Sequence, residues 1–162
     1  MERKIEIRNA KESDIDSILG MIARLKKLNE EFDTRMRVSP MMEENARNHL
    51  VDVMKHHEDY VFLVAEIAGK TGGFIKADIV HRIYYDPEKE GRISEFYVMP
   101  EFRRLGVGGM LLNRAKKILH SKGVGLIAVE FPSQNMIASN FYRKLGFVGL
   151  TSIFGKETDS QE

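Results

Sequence analysis

The chain has 162 residues, 43% of them hydrophobic and 30% charged, which fits one globular domain with a core of its own. A formal net charge of +1 and a pI near 8.0 give no general electrostatic pull toward nucleic acid or an anionic membrane. There is no Cys, which excludes thiolate metal sites, a Cys nucleophile and a disulfide framework, and fits a cytoplasmic protein.

Met1-Glu2-Arg3-Lys4 leads straight into an alternating segment with no apolar signal region. Residues 3–8 read as a strand. Asp14 and Asp16 then open an amphipathic helix with Ile15, Ile18, Leu19, Ile22 and Leu25 at helical spacing, acidic groups at its positive dipole end. Asn29 to Ser39 has no clean period and reads as a loop or short irregular helix. Ser39-Pro40 starts a second helix that runs to about His57. From Tyr60 the chain turns β-branched and aromatic. Tyr60 to Ile67, a Gly-Lys-Thr-Gly-Gly turn and Gly73 to Tyr85 predict a hairpin, and Arg92 to Met99 a third antiparallel strand ended by Pro100. The run Val61 to Ala65 is the longest purely apolar one, far short of a bilayer span.

A long helix is expected from about Arg104 to Ser121, with Val107, Leu111, Ala115, Ile118 and Leu119 on its buried stripe and Gly123 past its end. Leu126 to Phe131 is a short strand, Ser133 to Leu145 a fourth helix stopped by Gly146, and Phe147 to Phe154 a final strand. The order is β-α-α-β-β-β-α-β-α-β. This is an α/β fold of the α+β type, a mixed, largely antiparallel central sheet flanked by helices. Residues 1–155 make the domain and 156–162 a loose polar tail.

Chemistry is concentrated where the third strand of the meander passes through Pro100-Glu101-Phe102-Arg103-Arg104-Leu105-Gly106-Val107-Gly108-Gly109 into a helix. Glycines in a helix interior cost about 1 kcal/mol each relative to Ala. At a helix amino terminus they instead leave unpartnered N–H groups and the positive dipole end open to a bulky anion. Between Phe102 and Val129 there is no Asp or Glu, while Arg103, Arg104, Arg114, Lys116, Lys117 and Lys122 are present. A P-loop is excluded because no Gly-x4-Gly-Lys-Ser/Thr run occurs. A dinucleotide fingerprint fails at its third glycine, where Leu111 stands. What remains is Arg-x-x-Gly-x-Gly, filled by Arg103, Gly106 and Gly108.

With Phe96-Tyr97-Val98-x-Pro100 before it and Asn135-x-x-Ala138-x-x-x-Tyr142-x-Lys144-x-Gly146-Phe147 after it, this pattern resembles the GNAT superfamily of N-acetyltransferases. The resemblance covers essentially the whole chain and is most specific over residues 92–112 and 126–147. It implies acetyl-CoA as cosubstrate, bound between two splayed parallel strands. Pantetheine would lie along Phe96, Tyr97 and Val98 as a partial extra strand, and Asn135 would touch it. The pyrophosphate would be cradled by the amides of Arg104, Leu105, Gly106, Val107, Gly108 and Gly109, with Arg103 a further cofactor-binding residue beside them.

The resemblance further implies direct acetyl transfer to a primary amine: a protein amino terminus, a lysine, a polyamine or another small amine. Tyr142 matches the family's acid for the leaving thiolate, the alternative being a core-edge aromatic. Glu95 is the candidate base, although an exposed strand carboxylate or an ion-pair partner would look the same in sequence. Tyr97, on the same strand face, is the other side chain placed to orient a water. The acceptor side is expected at Asn29 to Ser39 and from Thr151 onward, where Glu30, Glu31 and Asp33 would attract a cation and Arg35 and Arg37 oppose it. A short last strand would leave that side open, favouring peptide or protein acceptors and leaving room for a homodimer. No metal is expected, because His56 and His57 are adjacent and point about 100° apart on a helix. Two other readings keep the same turn: a non-catalytic acyl-CoA-binding sensor, and a dinucleotide-dependent oxidoreductase.

Overall fold

In the computed structural model, which describes residues 3–158, the period-two segments form strands β1 (Ile5–Asn9), β2 (Tyr60–Ile67), β3 (Lys70–His81), β4 (Lys89–Val98) and β5 (Leu126–Val129). The amphipathic segments form helices α1 (Ile15–Phe32), α2 (Met42–Lys55), α3 (Val107–Ser121) and α4 (Met136–Lys144). Sheet order follows chain order, β1-β2-β3-β4-β5. Every neighbouring pair is antiparallel except β4 and β5, which run parallel.

Alternation sorts the strand residues onto two faces, each covered by helix. Val61, Leu63, Ala65, Ile75, Ala77, Ile93 and Val98 pack against Leu111, Ala115 and Leu119 of α3. On the other face Phe62, Val64 and Phe74 pack against Ile18, Leu19 and Ile22 of α1 and Leu50 and Val53 of α2.

Several element ends shift by two to four residues from the sequence expectation: β3 stops at His81 rather than Tyr85, β4 starts at Lys89 rather than Arg92, β5 stops at Val129 rather than Phe131, α3 starts at Val107 rather than Arg104 and α4 at Met136 rather than Ser133. Three further differences have a local cause. Helix α1 continues to Phe32, through part of the stretch read as loop, because no Gly or Pro interrupts it there. The extended backbone of Asp33 ends it, and the Asp33 side chain accepts from the Arg35 N–H to start a short 3-10 turn. The β2–β3 turn is only Ala68-Gly69, both left-handed at φ 49° and 79°. Gly72 and Gly73 belong to β3. A Cβ on Gly72 would lie 2.6 Å from the Phe102 ring, so close packing, not turning, requires that glycine.

The third difference is the final strand, which does not form. Residues 145–158 carry no helix or strand, and Val148, Leu150, Ile153 and Phe154 are exposed. Alternating apolar residues become a strand only where an edge accepts their backbone. The adjacent β5 offers four residues, and Gly149 and Gly155 interrupt the run. Of the expected tail, residues 156–158 are without regular structure and 159–162 lie outside the described residues.

Asp14 ties β1, α1 and the β2–β3 hairpin together. Its side chain is 4% exposed and accepts from Arg8 at 2.8 and 3.0 Å, from the Lys11 N–H at 2.9 Å and from Thr71 Oγ1 at 2.9 Å. Burial pushes its carboxyl up, but these donors and the Arg8 charge outweigh burial and hold it below the ordinary carboxylate value. The resulting stabilisation is complete above pH ~4 and lost as pH falls through the depressed folded value. Asp14→Ala is expected to cost about 3 kcal/mol, because the Lys11 N–H and Thr71 Oγ1 lose their acceptor and Arg8 keeps only Glu66. Urea unfolding at pH 7 and pH 3 checks this: the gap between wild type and variant narrows at the lower pH.

Candidate active site

Strand β4 is paired along its whole length with β3, from His81↔Lys89 to Gly73↔Val98. Its pairing with β5 covers only Glu90↔Leu126 to Ile93↔Val129. One long bond of 3.4 Å from the Glu130 N–H to the Ile93 carbonyl follows, and the chain then leaves toward Pro132. On the β5 side, the backbone from Ser94 to Val98 is therefore an open edge. Phe96, Tyr97 and Val98 all lie on it.

Ser94 is a bulge, since Lys76 opposes Glu95 while Ala77 opposes Ile93. The extra residue shifts the alternation by one position. Ile93 and Phe96 consequently pack on the α3 face although three apart, and Tyr97 packs on the α1–α2 face. Glu95 shares the Tyr97 side and lines a cavity of about 310 Å³ walled by Ile22, Met42, Ala46 and Leu50. Glu95 Oε1 accepts from Lys26 Nζ at 2.7 Å. Its Oε2 is buried and has no hydrogen-bond partner among the described residues. A buried carboxylate oxygen without a donor costs about 1–3 kcal/mol or more. Behind it Lys76, 4% exposed, donates to Asp78 Oδ1 at 2.7 Å and to Ser94 Oγ at 2.8 Å, which fixes the bulge.

At the far end of the open edge Pro100–Leu105 form a 3-10 turn, and Gly106, at φ 74°, leads into α3 without any side chain capping the helix. That left-handed conformation costs an L-residue about 1–2 kcal/mol and accounts for Gly106. Gly108 and Gly109 have no such need. A Cβ on Gly108 would make ordinary contacts, 3.4 Å to Phe96 and 3.8 Å to Val98, and one on Gly109 would meet nothing within 4 Å. Neither glycine is required by packing or by backbone conformation. Arg104 and Leu105 are exposed beside them, and Val107 is buried under α3. Arg103 turns back, its Nε donating to the Val98 carbonyl at 2.9 Å and its guanidinium lying 5.2 Å over the Tyr97 ring. It braces the strand end, with only its terminal nitrogens left over.

Asn135 and Tyr142 follow β5 in the chain, at the start and on the body of α4. Asn135 is the N-cap of α4, its Oδ1 accepting from the Ala138 N–H at 3.0 Å, which leaves its amide N–H groups available. Tyr142 stacks on Phe131 at 5.5 Å between ring centroids and meets Phe141 and Phe147 edge-on. Burial in that cluster pushes its hydroxyl up to about 12. Sequence reasoning missed Lys26 and Lys76. The pairing of α1 with β4 is long-range, and a lysine in a strand carries no sign that it is buried.

The acidic trio behaves unevenly. Asp33 is held by Arg35 at 2.8 Å, and Arg37 pairs with Glu157 at 3.1 Å, so the chain's end meets the α1–α2 connection. Both pairs are exposed and contribute little. A larger open cleft of about 660 Å³ lies over Arg8, Asp14 and Thr71, but its buried carboxylate is already occupied by Arg8, Lys11 and Thr71. None of the described helices is long and apolar enough to cross a membrane.

Residues 23–147 match the model of the "Acetyltransferase (GNAT) family". An uncharacterized N-acetyltransferase of Methanocaldococcus jannaschii is 28% identical over 141 residues, 87% of this chain; the chain spans 59% of that relative's length. An uncharacterized N-acetyltransferase of Archaeoglobus fulgidus is 27% identical over 139 residues, covering 85% of this chain and 89% of the relative. Among solved structures, an aminoglycoside N-acetyltransferase in complex with CoA superposes with a TM-score of 0.78 at 16% identity, over 98% of this chain and 97% of that one. The PaiA N-acetyltransferase of Thermoplasma acidophilum in complex with coenzyme A superposes at 0.72 with 22% identity, over 97% and 94%.

Proposed function

Since the chain belongs to the GNAT acetyltransferase family, we propose that it transfers an acetyl group from acetyl-CoA directly to a primary amine. The observation that carries this reading is the combination of a β4 edge that β5 leaves unpaired from Ser94 on, with only its Val98 carbonyl taken by Arg103, and the bare Gly108-Gly109 backbone in the helix that follows that strand. An extended amide-bearing arm ending in a diphosphate fits that combination, with strand-like hydrogen bonds along the edge and anion binding at the α3 amino terminus. Arg104, the terminal nitrogens of Arg103 and the amide of Asn135 are the side-chain groups that would hold it.

Acetyl-CoA supplies the activated acetyl group. The acceptor ammonium loses one proton before attack and a second as the C–N bond forms, while the C–S bond breaks and its thiolate gains one. On this reading Glu95 Oε2 takes the first proton, the Tyr142 hydroxyl gives one to the thiolate, and the second amine proton returns through water to restore the Tyr142 hydroxyl. Burial raises that hydroxyl to about 12, which keeps it protonated at neutral pH and makes it a weaker acid than an ordinary tyrosine. No residue is needed as a covalent relay, and the described residues include no Cys.

Thiol release from acetyl-CoA with a panel of amines tests the reading against a non-catalytic acyl-CoA sensor, which would bind without release. NAD in place of CoA should give no thermal protection, whereas a dinucleotide oxidoreductase would be protected by it. Tyr142→Phe is expected to slow thiol release by about 10²-fold while leaving the CoA-induced rise in Tm unchanged. Normal turnover by that variant removes Tyr142 from the acid role.

A further inference from the structure

The geometry points to an acceptor of one kind: a primary amine on a compact apolar body with no second cationic group. It would enter the cavity between α1, α2 and β4 with its ammonium on Glu95 Oε2. This rests on the transferase reading above and narrows it.

The cavity, about 310 Å³, is at the small end of ligand sites. Ile22, Met42, Ala46 and Leu50 give it apolar walls, and Ser39, Asn45 and His49 add polar groups without a carboxylate. Its charged lining is Lys26, Lys76 and Glu95. Lys76 is satisfied by Asp78 and Ser94, and Lys26 by Glu95 Oε1. That leaves one carboxylate oxygen of the lining, Oε2, buried and without a donor among the described residues. One ammonium completes it. A second ammonium on the same molecule would find no carboxylate in the lining and would face Lys26 and Lys76. Asp33, the nearest acidic help suggested by the sequence, is held by Arg35 and does not line the cavity. The rest of the acceptor must be apolar to replace water against Ile22, Met42, Ala46 and Leu50. Two sources share this chemistry: a free alkyl- or arylalkylamine, and the amino terminus of a peptide that begins with an apolar residue.

The test uses the full chain, acetyl-CoA and three acceptors: phenethylamine, the tripeptide Leu-Gly-Gly and spermidine. Phenethylamine or the tripeptide is expected to exceed spermidine at least tenfold in kcat/KM, and the better of the two identifies the source. Ala46→Phe, which fills the cavity, should raise KM for the preferred acceptor more than tenfold with the CoA-induced Tm rise intact. Lys26→Met removes one of the two cations that a second ammonium would face. It should improve spermidine relative to the preferred acceptor at least fivefold, a change of ratio that mere loss of structure would not produce. A preference for spermidine, or an unchanged ratio in Lys26→Met, overturns the proposal while leaving the transferase reading standing. CoA protection without thiol release from any amine overturns both.

Discussion

Replacing Gly108 by Glu is expected to abolish CoA binding, raising its Kd more than 10²-fold, while the protein stays folded. The two halves of this outcome come from different facts. A Cβ at position 108 makes only van der Waals contacts, at 3.4 and 3.8 Å, so the fold has room for it. In the first turn of α3 a carboxylate is favoured by the helix dipole, so the variant should be no less stable than the parent. What a carboxylate there does disturb is the space in front of the first turn of α3, where no side chain caps the N–H groups. It covers those donors and places negative charge against an incoming diphosphate. Gly108→Ala separates the causes, since it adds bulk without charge and should weaken binding by about tenfold or less. The measurement is the CoA-induced rise in Tm together with direct titration. Full protection by CoA in Gly108→Glu would remove the turn from the binding site and with it the main support for the donor assignment.

Glu95→Gln is expected to lower kcat/KM by about 10²–10⁴-fold, the usual range for losing a positioned proton acceptor, with CoA protection unchanged. The amide keeps the shape of the side chain and can still accept from Lys26, so packing around the cavity is preserved. It cannot take a proton from an ammonium. The same change replaces a carboxylate facing Lys26 by a neutral group, so part of the loss will appear in KM for the amine. A loss confined to KM would make Glu95 a binding group and leave deprotonation to water.

Much of the frame was legible in the chain because each signal was local. The hydrophobic stripes of α1 and α3, the β-branched run Tyr60 to Ile67 and the glycine-marked start of α3 each set their own element. The open edge on β4 was legible only through resemblance, since a splay is a relation between two strands. Residue 95 could be named from its strand but not placed on a face, because the bulge at Ser94 depends on register with β3. The absent last strand shows the complementary limit. Val148, Leu150 and Phe154 alternate properly, yet backbone pairing needs an edge, and a one-dimensional pattern says nothing about whether one is offered. Arg103, expected to meet the anion as a flanking charge, also donates through Nε to the Val98 carbonyl and lies over the Tyr97 ring, a contact invisible at a separation of five residues in a turn of unknown shape.

The single surplus residue in β4 works as a parity switch between two compartments. Counted from Ile93 under strict odd–even order, position 95 would fall on the greasy underside of α3; the surplus serine sends it to the opposite side, into the cavity between α1, α2 and β4. Excising Ser94 would therefore leave Glu95, Phe96 and Tyr97 on the faces they now occupy, and would remove the hydroxyl that holds Lys76. A substitution that keeps the residue count would preserve the same parity, whereas an extra residue at that point would reverse the faces of Glu95 and Tyr97.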